Sequence, residues 1–548
     1  MAMPAPSQLI DVAVRRKPAD VAIRGGRVFN LITGELLTAD VALVGNRIAA
    51  VGNDYHGKNE IDARGLTLTP GLTDAHCHIE SSLVRPCAWE EAVLRRGVVN
   101  AVCDPHELAN VCGIPAIEYF RQCAARMILH LQVQIPSCVP ALPSEQAGAH
   151  LPAADIAPYA SAGCALAELM NVPGVLGKDP DTLAKAAAFH KHPIDGHAPG
   201  VSPDAINALA AIGVTNDHEC SSVAEAVTKL RLGWTLFLRL GSVGRDLKAL
   251  TSLFSPTLCD RLCLCTDDAD PLNIVERGHL DAAVRLAIEA GCDPLAVYRA
   301  ACLTPARHFG WRNRGLIAPG YAADLLLMPD LAECRAERVF CSGQEVTEAR
   351  LAERPPEPDY SAFLHTVHGR EWNAQDFIPP PPGAVIGVRD GQLLTDVLDW
   401  EAAQDDLAIG ALIERHGHSG QIGRAWVHGF GLRRGALAST VGHDSHNLCV
   451  VGASAADMAL AANAVRACGG GFAVACEGTV TACLPLPLGG LMSTGSVAEA
   501  ADALATLRQA ARETGTPLSS PFLSLAFLPL PVIPAARLTL SGYTSVSL

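Results

Sequence analysis

The chain has 548 residues, several times the length of a typical domain, so two or three domains are expected. Hydrophobic residues make up 49% of the chain and charged residues 18%, which excludes a disordered protein and predicts a large core. The formal net charge of −15 argues against a nucleic-acid backbone or an anionic membrane surface as partner.

Nineteen cysteines are scattered through the chain without a C-x-x-C pair. The first residues, MAMPAPSQLIDVAVRRKPAD, lack the apolar region of a signal peptide. No apolar run has the length of a membrane span. We therefore expect free thiols in a reducing cytoplasm, and a zinc ribbon is unfavoured.

Short strands are predicted near the N-terminus. Residues 21–53 alternate apolar and polar positions between Gly and Asn turns, a pattern typical of antiparallel strands. A matching stretch, GLIAPGYAADLLLM, occupies residues 315–328. We expect the two stretches to pair in one small β-sandwich domain made of residues 1–69 and 313–350. The alternative is two independent hairpin regions.

Residues 70–312 repeat one unit: a short β run, polar residues at its end, and a helical stretch. The eight β runs are LTLTPGLTDAH, VVNAVCDPHE, LHLQVQIPS, GCALAELMN, PIDGHAPG, GVTNDHE, TLFLRLGS and RLCLCTDD. Eight strands alternating with helices predict the α/β class and a (β/α)8 TIM-like barrel. Functional groups of such a barrel lie at the C-terminal ends of its strands, where the polar residues fall here.

The remaining chain divides into two parts. Residues 351–383 are Pro-rich and predict a linker or an extended excursion. Residues 384–548 contain strand and turn signals and the helical stretch AADMALAANAVRACGGG, which predicts a separate α+β domain. Its polar cluster GHDSHN, residues 442–447, contributes to a site or forms a turn satisfied by its own side chains; both readings stay open.

His76 and His78 lie two residues apart at the end of the first barrel run. In an extended strand both imidazoles point the same way, and Cys77 faces the other side. Later strand ends carry further ligand-type residues. These are Asp104, His106 and Glu107 on the second run, Glu168 on the fourth, His197 on the fifth, Asp217, His218 and Glu219 on the sixth, and Asp267 and Asp268 on the eighth.

Four imidazoles and two or three carboxylates at one barrel mouth suit a pair of divalent ions. Each residue alone has a structural alternative, such as a core histidine or a buried salt bridge, but that alternative must hold independently at five strand ends. A bound pair would lower the pKa of a shared water to near neutrality. A site made of imidazole and carboxylate ligands, without a thiolate, is compatible with Mn, Fe or Zn. Cys103 and Cys265 should point away from the ions, as Cys77 does.

Other site types are excluded. His78-Ile79-Glu80 imitates the H-x-E of cytidine-type zinc deaminases, but no P-C-x-x-C follows. A G-x-G-x-x-G nucleotide motif and a Walker A loop are also absent from the sequence.

From about residue 21 to the C-terminus the chain resembles the adenine deaminase family of the amidohydrolase superfamily. The resemblance rests on PGLTDAHCHIESS, DPHELANVCG, AELMNVPGV, DGHAPG, TNDHECSS, CTDD, GHLDAAVRLAIEAG, IAPGYAADLL, VGHDSHN and LPLPLGGLMS. Glu168 stands where many amidohydrolases carry a carboxylated lysine, which resembles the deaminase group. One departure is Ala269-Asp270, where the family usually has basic or imidazole residues; this could alter substrate preference.

The resemblance implies hydrolytic deamination of adenine to hypoxanthine and ammonia by a metal-bridged hydroxide that attacks C6 of the purine. The implied metal ligands are His76, His78, Glu168, His197, His218 and Asp267, and the implied substrate-binding residues are His106, Glu219, His443 and His446. The cofactor would be two divalent ions per subunit, Mn or Fe, with Zn as a further option. A cytoplasmic homo-oligomer (a dimer or larger) acting in purine salvage is expected.

Three carboxylates are candidates for proton transfer. Asp267 would accept the water's proton and pass it toward the leaving amino group, and Glu107 would protonate a ring nitrogen. Glu107 could instead orient His106, and Asp268 could either carry protons or hold the eighth strand in place. Two alternative functions stay open: a related hydrolase for another aminopurine or a cyclic amide, and an inactive purine-binding barrel.

Overall fold

A computed structural model of the protein describes residues 3–242, 244–392, 394–531 and 535–546. Residues 1–2, 243, 393, 532–534 and 547–548 lie outside the described residues. They belong to the predicted β domain, barrel and C-terminal domain.

The chain begins with a helix and a β-sheet. Helix α1 (Pro6–Ala13) precedes β1 (Ala19–Phe29), β2 (Leu36–Val44), β3 (Arg47–Gly52), β4 (Gly57–Asp62) and β5 (Thr67–Pro70). The β1–β2 and β2–β3 pairs are antiparallel, which confirms the prediction for residues 21–53. Strands β4 and β5 run parallel to β1.

The run LTLTPGLTDAH, predicted as the first barrel strand, forms two strands instead of one. Its first part is β5, which belongs to the N-terminal sheet, and its second part is β6 (Leu72–His78). Gly71 separates them, and a Cβ added there would lie 2.1 Å from Val99 Cγ2. Only glycine lets the chain pass this close to the neighbouring strand.

Parallel strands alternate with helices over the next 240 or so residues. After β6 the strands are β7 (Val98–Cys103), β8 (His130–Val133), β9 (Leu166–Leu169), β10 (Ile194–Gly196), β11 (Asn216–Asp217), β12 (Thr235–Arg239), β13 (Leu262–Cys265) and β14 (Asp267–Asp268). They form parallel sheets in the orders β14-β6-β7-β8, β9-β10 and β11-β12-β13. Isolated parallel bridges join Ile135 to Leu166 and Ile194 to Val214, between neighbouring sheets.

The helices of this region follow the strands. They are α2 (Pro86–Leu94), α3 (His106–Cys112), α4 (Ile114–Ala124), α5 (Ala153–Ser161), α6 (Val172–Leu176), α7 (Pro180–Ala188), α8 (Pro203–Ala211), α9 (Val223–Arg231), α10 (Leu247–Leu250), α11 (Pro271–Glu276), α12 (Leu280–Glu289), α13 (Pro294–Tyr298) and α14 (Thr304–His308). Several begin at a side-chain cap, as where Ser202 accepts from Ala205 N. The residues DPHE, predicted as the end of a strand, instead lead into α3.

Three later strands complete the N-terminal sheet: β15 (Leu325–Met328), β16 (Arg338–Cys341) and β17 (Gln344–Glu345). The sheet order is β17-β16-β15-β5-β1-β2-β3, with β4 beside β1. The stretch 315–328 therefore joins the same sheet as residues 21–53. It does so mainly through the antiparallel β15–β5 pair, and through a single bridge from Ala322 to Arg47.

The Pro-rich segment follows helix α15 (Glu348–Ala352). Phe363, Trp372 and Phe377 of this segment are buried, and Arg354 Nη1 lies 3.0 Å from Glu90 Oε2 of α2. The segment is mostly irregular, yet it packs against the elements on both sides of it. Burial of three aromatic side chains accounts for its ordered course.

The C-terminal region is one sheet covered on both faces. Its strands are β18 (Val385–Gly387), β19 (Asp396–Leu398), β20 (Leu407–Ile413), β21 (Ile422–His428), β22 (Ala436–Ser439), β23 (Leu448–Gly452), β24 (Gly471–Cys476) and β25 (Thr479–Pro485), in the order β19-β18-β21-β20-β23-β22-β24-β25. Helix α16 (Ala455–Ala467) packs on one face, and α17 (Val497–Glu513) and α18 (Pro521–Phe527) on the other. A hairpin of β26 (Ala535–Thr539) and β27 (Gly542–Val546) follows.

The structure is thus a mixed α/β fold. Within the described ranges, no helix has both the length and the apolar character needed to cross a bilayer.

Candidate metal centre

The end of β6 carries two histidines that face each other. His76 Nε2 and His78 Nε2 lie 3.1 Å apart, and both residues are buried. Cys77 points the other way, with its Sγ donating to Val102 O. The period of two in an extended strand accounts for both orientations.

Glu168, at the end of β9, lies among three imidazoles. Its Oε1 is 3.3 Å from His78 Nε2, and its Oε2 is 2.7 Å from His197 Nδ1 and 3.3 Å from His218 Nε2. One carboxylate therefore links the histidines of β6 with those that follow β10 and β11.

Asp267 completes the group from the other side. Its Oδ1 lies 3.5 Å from His76 Nε2 and 3.2 Å from His78 Nε2. The residue has φ +58°, a left-handed conformation that is uncommon and costly for a residue other than glycine. The rings of His76 and His218 stack at 4.1 Å. Six predicted residues thus come together: His76, His78, Glu168, His197, His218 and Asp267.

The donor set fits divalent ions. His76, His218 and Asp267 each offer a ligand atom within 4.8 Å of the others, and so do Glu168, His197 and His218. Facing imidazole nitrogens and carboxylate oxygens without a proton between them repel one another, and a cation among them removes that repulsion. The ligands are nitrogen and oxygen atoms, with no thiolate among these two groups. The residues present therefore suit divalent metal ions.

A buried arginine that sequence reasoning missed supports Asp267. Arg239, at the end of β12, places Nη1 2.8 Å from Asp267 Oδ2 and Nη2 2.7 Å from Asp246 Oδ2. Burial alone would raise the pKa of Asp267, but the charge of Arg239 and the two β6 histidines hold it well below its usual range. The signal in the sequence was a charged residue inside the apolar run TLFLRL.

Glu219, predicted to bind substrate, lies beside the same arginine. Its Oε1 contacts Arg239 Nη1, and it is 3.6 Å from His218 Nε2 and 3.9 Å from His197 Nδ1. Its carboxylate therefore faces the imidazoles and is charge-paired by Arg239.

His106 opens α3 beside the six-residue group. Its Nδ1 lies 3.0 Å from Asp104 Oδ2 and 3.4 Å from Glu168 Oε1. Its Nε2 lies 3.4 Å from Glu107 Oε1. His106 thus connects Glu168 to Glu107, and Asp104 orients the ring.

Glu107 meets two histidines that are more than 330 residues later in the chain. His443 Nδ1 is 2.8 Å from Glu107 Oε1, and His446 Nε2 contacts Glu107 Oε2. The His443 ring stacks on Phe527 at 4.8 Å with an interplanar angle of 9°. The segment 442–447 therefore reaches the site of its own chain and is more than a self-contained turn. The sequence left those two readings open.

The three imidazoles around Glu107 set its charge state. Burial would raise the pKa of Glu107, but the charges of His443, His446 and His106 hold it well below its usual range. Burial lowers the pKa of His443, but the charge of the Glu107 carboxylate more than offsets the effect of burial. The pKa of His443 therefore lies well above its usual range. Glu107 and His443 form an ion pair.

Two further carboxyls near the site have raised pKa values. Burial and the neighbouring Asp267 charge raise the pKa of Asp268, whose Oδ1 contacts Ser81 Oγ. Burial and the charge of Glu107 raise the pKa of Glu80 to about 7, and Glu80 Oε1 accepts from Leu108 N at 3.1 Å. Of the two, Glu80 can therefore hold a proton near neutral pH.

The Ala269-Asp270 pair has a structural explanation. Asp270 caps α11 by accepting from Asn273 N at 2.7 Å, and its Oδ2 lies 2.7 Å from Arg508 Nη2 of α17. Both carboxylate oxygens are therefore engaged in joining α11 to the C-terminal region. Ala269 is buried.

Comparison with known proteins identifies the family of the chain. Residues 386–548 match the model of the adenine deaminase C-terminal domain, and residues 67–237 and 256–346 match that of the amidohydrolase family. An adenine deaminase of Sinorhizobium fredii is 47% identical over 98% of each chain. Adenine deaminase 1 of Rhizobium meliloti and an adenine deaminase of Cereibacter sphaeroides are each 46% identical over 98% of both chains. The chain belongs to the adenine deaminase family of amidohydrolases.

Proposed function

We propose that the protein hydrolyses adenine to hypoxanthine and ammonia. The observation that carries the proposal is the convergence of His76, His78, Glu168, His197, His218 and Asp267 at one place. The relatives named as adenine deaminases are similar along the whole chain and not in one domain alone.

The six converging residues are the proposed holders of two divalent ions, with Mn and Fe as first candidates and Zn as a third. Ions bound there would supply a hydroxide nucleophile at neutral pH. The Arg239 guanidinium donates to Asp267 and keeps that carboxylate ionised and oriented. The Asp104 carboxylate accepts from the His106 ring and orients it. Both contacts are hydrogen bonds that involve a charged group.

Proton transfer is assigned to three carboxyls. Asp267 takes the proton from the attacking water and passes it toward the departing amino group. Glu107 relays a proton from its ion-pair partner, the protonated His443, to a ring nitrogen; protonation of that nitrogen draws electrons away from C6. Asp268 holds a second proton for the leaving amine, in line with its raised pKa.

His106, Glu219, His443 and His446 are the proposed substrate contacts. Each lies within 4 Å of a charged partner in the site, so each has its ring or carboxylate held in one orientation. Phe527 stacks on His443 and offers an apolar surface next to these polar groups, which suits a flat heteroaromatic base.

The proposed architecture has four parts: a split β domain of residues 1–69 and 313–350, a barrel of residues 70–312, a connecting segment of 351–383, and a C-terminal domain of 384–548. In this view β6 to β14 form a closed (β/α)8 barrel, with β13 and β14, which both come from the run RLCLCTDD, counted together as the eighth strand. It is supported by the β14–β6 pair and by the isolated bridges between neighbouring sheets. A cytoplasmic location is supported by the nineteen free thiols.

The test is an ammonia and hypoxanthine assay on adenine, with separate Mn, Fe and Zn loadings and metal analysis of each preparation. A panel of other aminopurines, pyrimidines and hydantoins runs in parallel. Asp267→Asn should abolish turnover, and Asp260→Asn, a change at an exposed carboxylate that pairs with Arg299 away from the site, should not. The proposal fails if no loading releases ammonia from adenine, or if another compound is clearly preferred.

A further inference from the structure

Two cysteine side chains meet on the surface of the C-terminal region. Cys468 follows the last residue of α16, and Cys483 lies in β25, the last strand of the sheet order. Their Sγ atoms are 3.8 Å apart. Cys483 is exposed and Cys468 is partly exposed. Neither thiol touches the metal centre, so the proposed hydrolysis does not account for the pair.

The two sulfurs differ in their surroundings. At the end of the helix the Cys468 thiol can donate to Val465 O at 3.3 Å and to Gly470 O at 3.2 Å. The hydrogen bond from the Cys483 thiol lowers the pKa of Cys468 to about 7, whereas the same contact raises the pKa of Cys483. Cys468 is therefore the better nucleophile of the two, and the Cys483 sulfur lies within reach of it.

A second close thiol pair serves as an internal comparison. Cys87 and Cys123 each have a ligand atom within 4.8 Å of the other and of Glu357. Cys123 is fully buried, and the contact with Cys87 together with burial raises its pKa. This pair has similar proximity, but its Cys123 sulfur lacks the access and the ionised form that reaction with a dissolved oxidant requires.

We propose that Cys468 and Cys483 are an oxidisable dithiol that hydrogen peroxide converts to a disulfide. The Cys468 thiolate attacks one peroxide oxygen; the S–O bond forms, the O–O bond breaks, and hydroxide leaves and takes up a proton. The Cys483 sulfur then attacks the sulfenic sulfur; the S–S bond forms, the S–O bond breaks, and water leaves with the thiol proton. Two electrons pass from the sulfurs to the peroxide oxygens.

The disulfide would link the end of α16 to β25 and close the loop that contains β24. In a reducing cytoplasm such a bond is transient, and a dithiol reductant returns both thiols. The bond is thus a reversible modification of the surface of this region.

The experiment uses the full-length, metal-loaded protein, reduced, desalted and exposed to hydrogen peroxide at pH 7. Free thiols are then alkylated, and peptides are mapped by mass spectrometry. We expect a Cys468–Cys483 linked peptide that has lost two hydrogen atoms. It should form at least about 10-fold faster than a Cys87–Cys123 linked peptide, because Cys123 is fully buried and burial keeps a dissolved oxidant away from its sulfur.

Variants separate the two sulfurs. Cys483→Ser should accumulate a sulfenic acid on Cys468 that a dimedone-type reagent traps. Cys468→Ser should leave Cys483 mostly reduced over the same time, and both variants should keep the unoxidised rate of ammonia release. The inference is overturned if no linked peptide forms, if the Cys87–Cys123 pair oxidises equally fast, or if Cys483→Ser traps no sulfenic acid.

Discussion

Replacement of Arg239 by methionine tests how the metal centre is held. Arg239 is buried, and its guanidinium pairs with Asp267 and Asp246 and contacts Glu219. Methionine keeps much of the volume and removes every donor. The variant therefore leaves three carboxylates close together without the cation that neutralises them.

The expected size of the effect follows from these contacts. A hydrogen bond to a charged group contributes about 1.5–3 kcal/mol, so loss of the 2.8 Å bond to Asp267 corresponds to about 10- to 150-fold in rate or metal affinity. Removing one partner of a buried ion pair costs about 3–5 kcal/mol of folding stability. We expect weaker metal retention, slower ammonia release and a lower Tm for Arg239→Met.

The assay combines metal analysis after dialysis, the rate of ammonia release and thermal unfolding. Arg239→Lys keeps the charge but not the planar fork, and it should fall between the wild type and the methionine variant. Arg285→Met is the matched control, because its 2.8 Å pair with Asp281 lies outside the site. Full metal content and a rate within twofold of the wild type in Arg239→Met would refute the reasoning.

Three further outcomes are expected. His76→Ala should lose metal and at least about 10²-fold in ammonia release, and an unchanged rate on a metal-loaded preparation would contradict its role. Glu107→Gln should lower the rate about 10²- to 10⁴-fold while the metal content stays normal; lost metal would instead favour a role in orienting His106. Burial raises the pKa of Glu414, but backbone N–H donors of Gly420, Ser419, His416 and His418 bring this pKa below its ordinary 4.5. The ionised carboxylate therefore stabilises the folded protein above pH 4.5, and this stabilisation is lost as the pH falls through the pKa of Glu414 in the folded state. Glu414→Gln should accordingly lower the free energy of unfolding by about 1–3 kcal/mol at pH 7 and by less below pH 4, as thermal melts across pH would measure; a gap that widens on acidification would contradict this.

Parts of the candidate site could be predicted because they depend on local geometry. The spacing of His76 and His78 predicts one shared direction, since side chains in a strand repeat every two residues. Glu168, His197, His218 and Asp267 were selected because each follows a short β run, and parallel strands bring their ends to one edge. No distance between them could be stated before the strands were paired.

Other features of the site could not be predicted from the local sequence pattern. In the sequence Arg239 is a single charged residue within an apolar strand. Only the tertiary structure, which places it beside Asp267, shows that it pairs with that carboxylate. The two imidazoles that hold Glu107 come from residues 443 and 446, and the sequence around them fits a turn equally well. The run LTLTPGLTDAH is one β stretch by composition, and only the strand pairing shows that it is divided between two sheets.

The sequence by itself therefore predicted the alternation of strands and helices, the types of candidate ligand and the family. Those properties follow from periodicity and side-chain chemistry over a few neighbouring residues. The tertiary structure decided which charges meet: Arg239 with Asp267, and Glu107 with His443. Such pairs join residues far apart in the chain, and their contact depends on how whole elements pack, which no local pattern specifies.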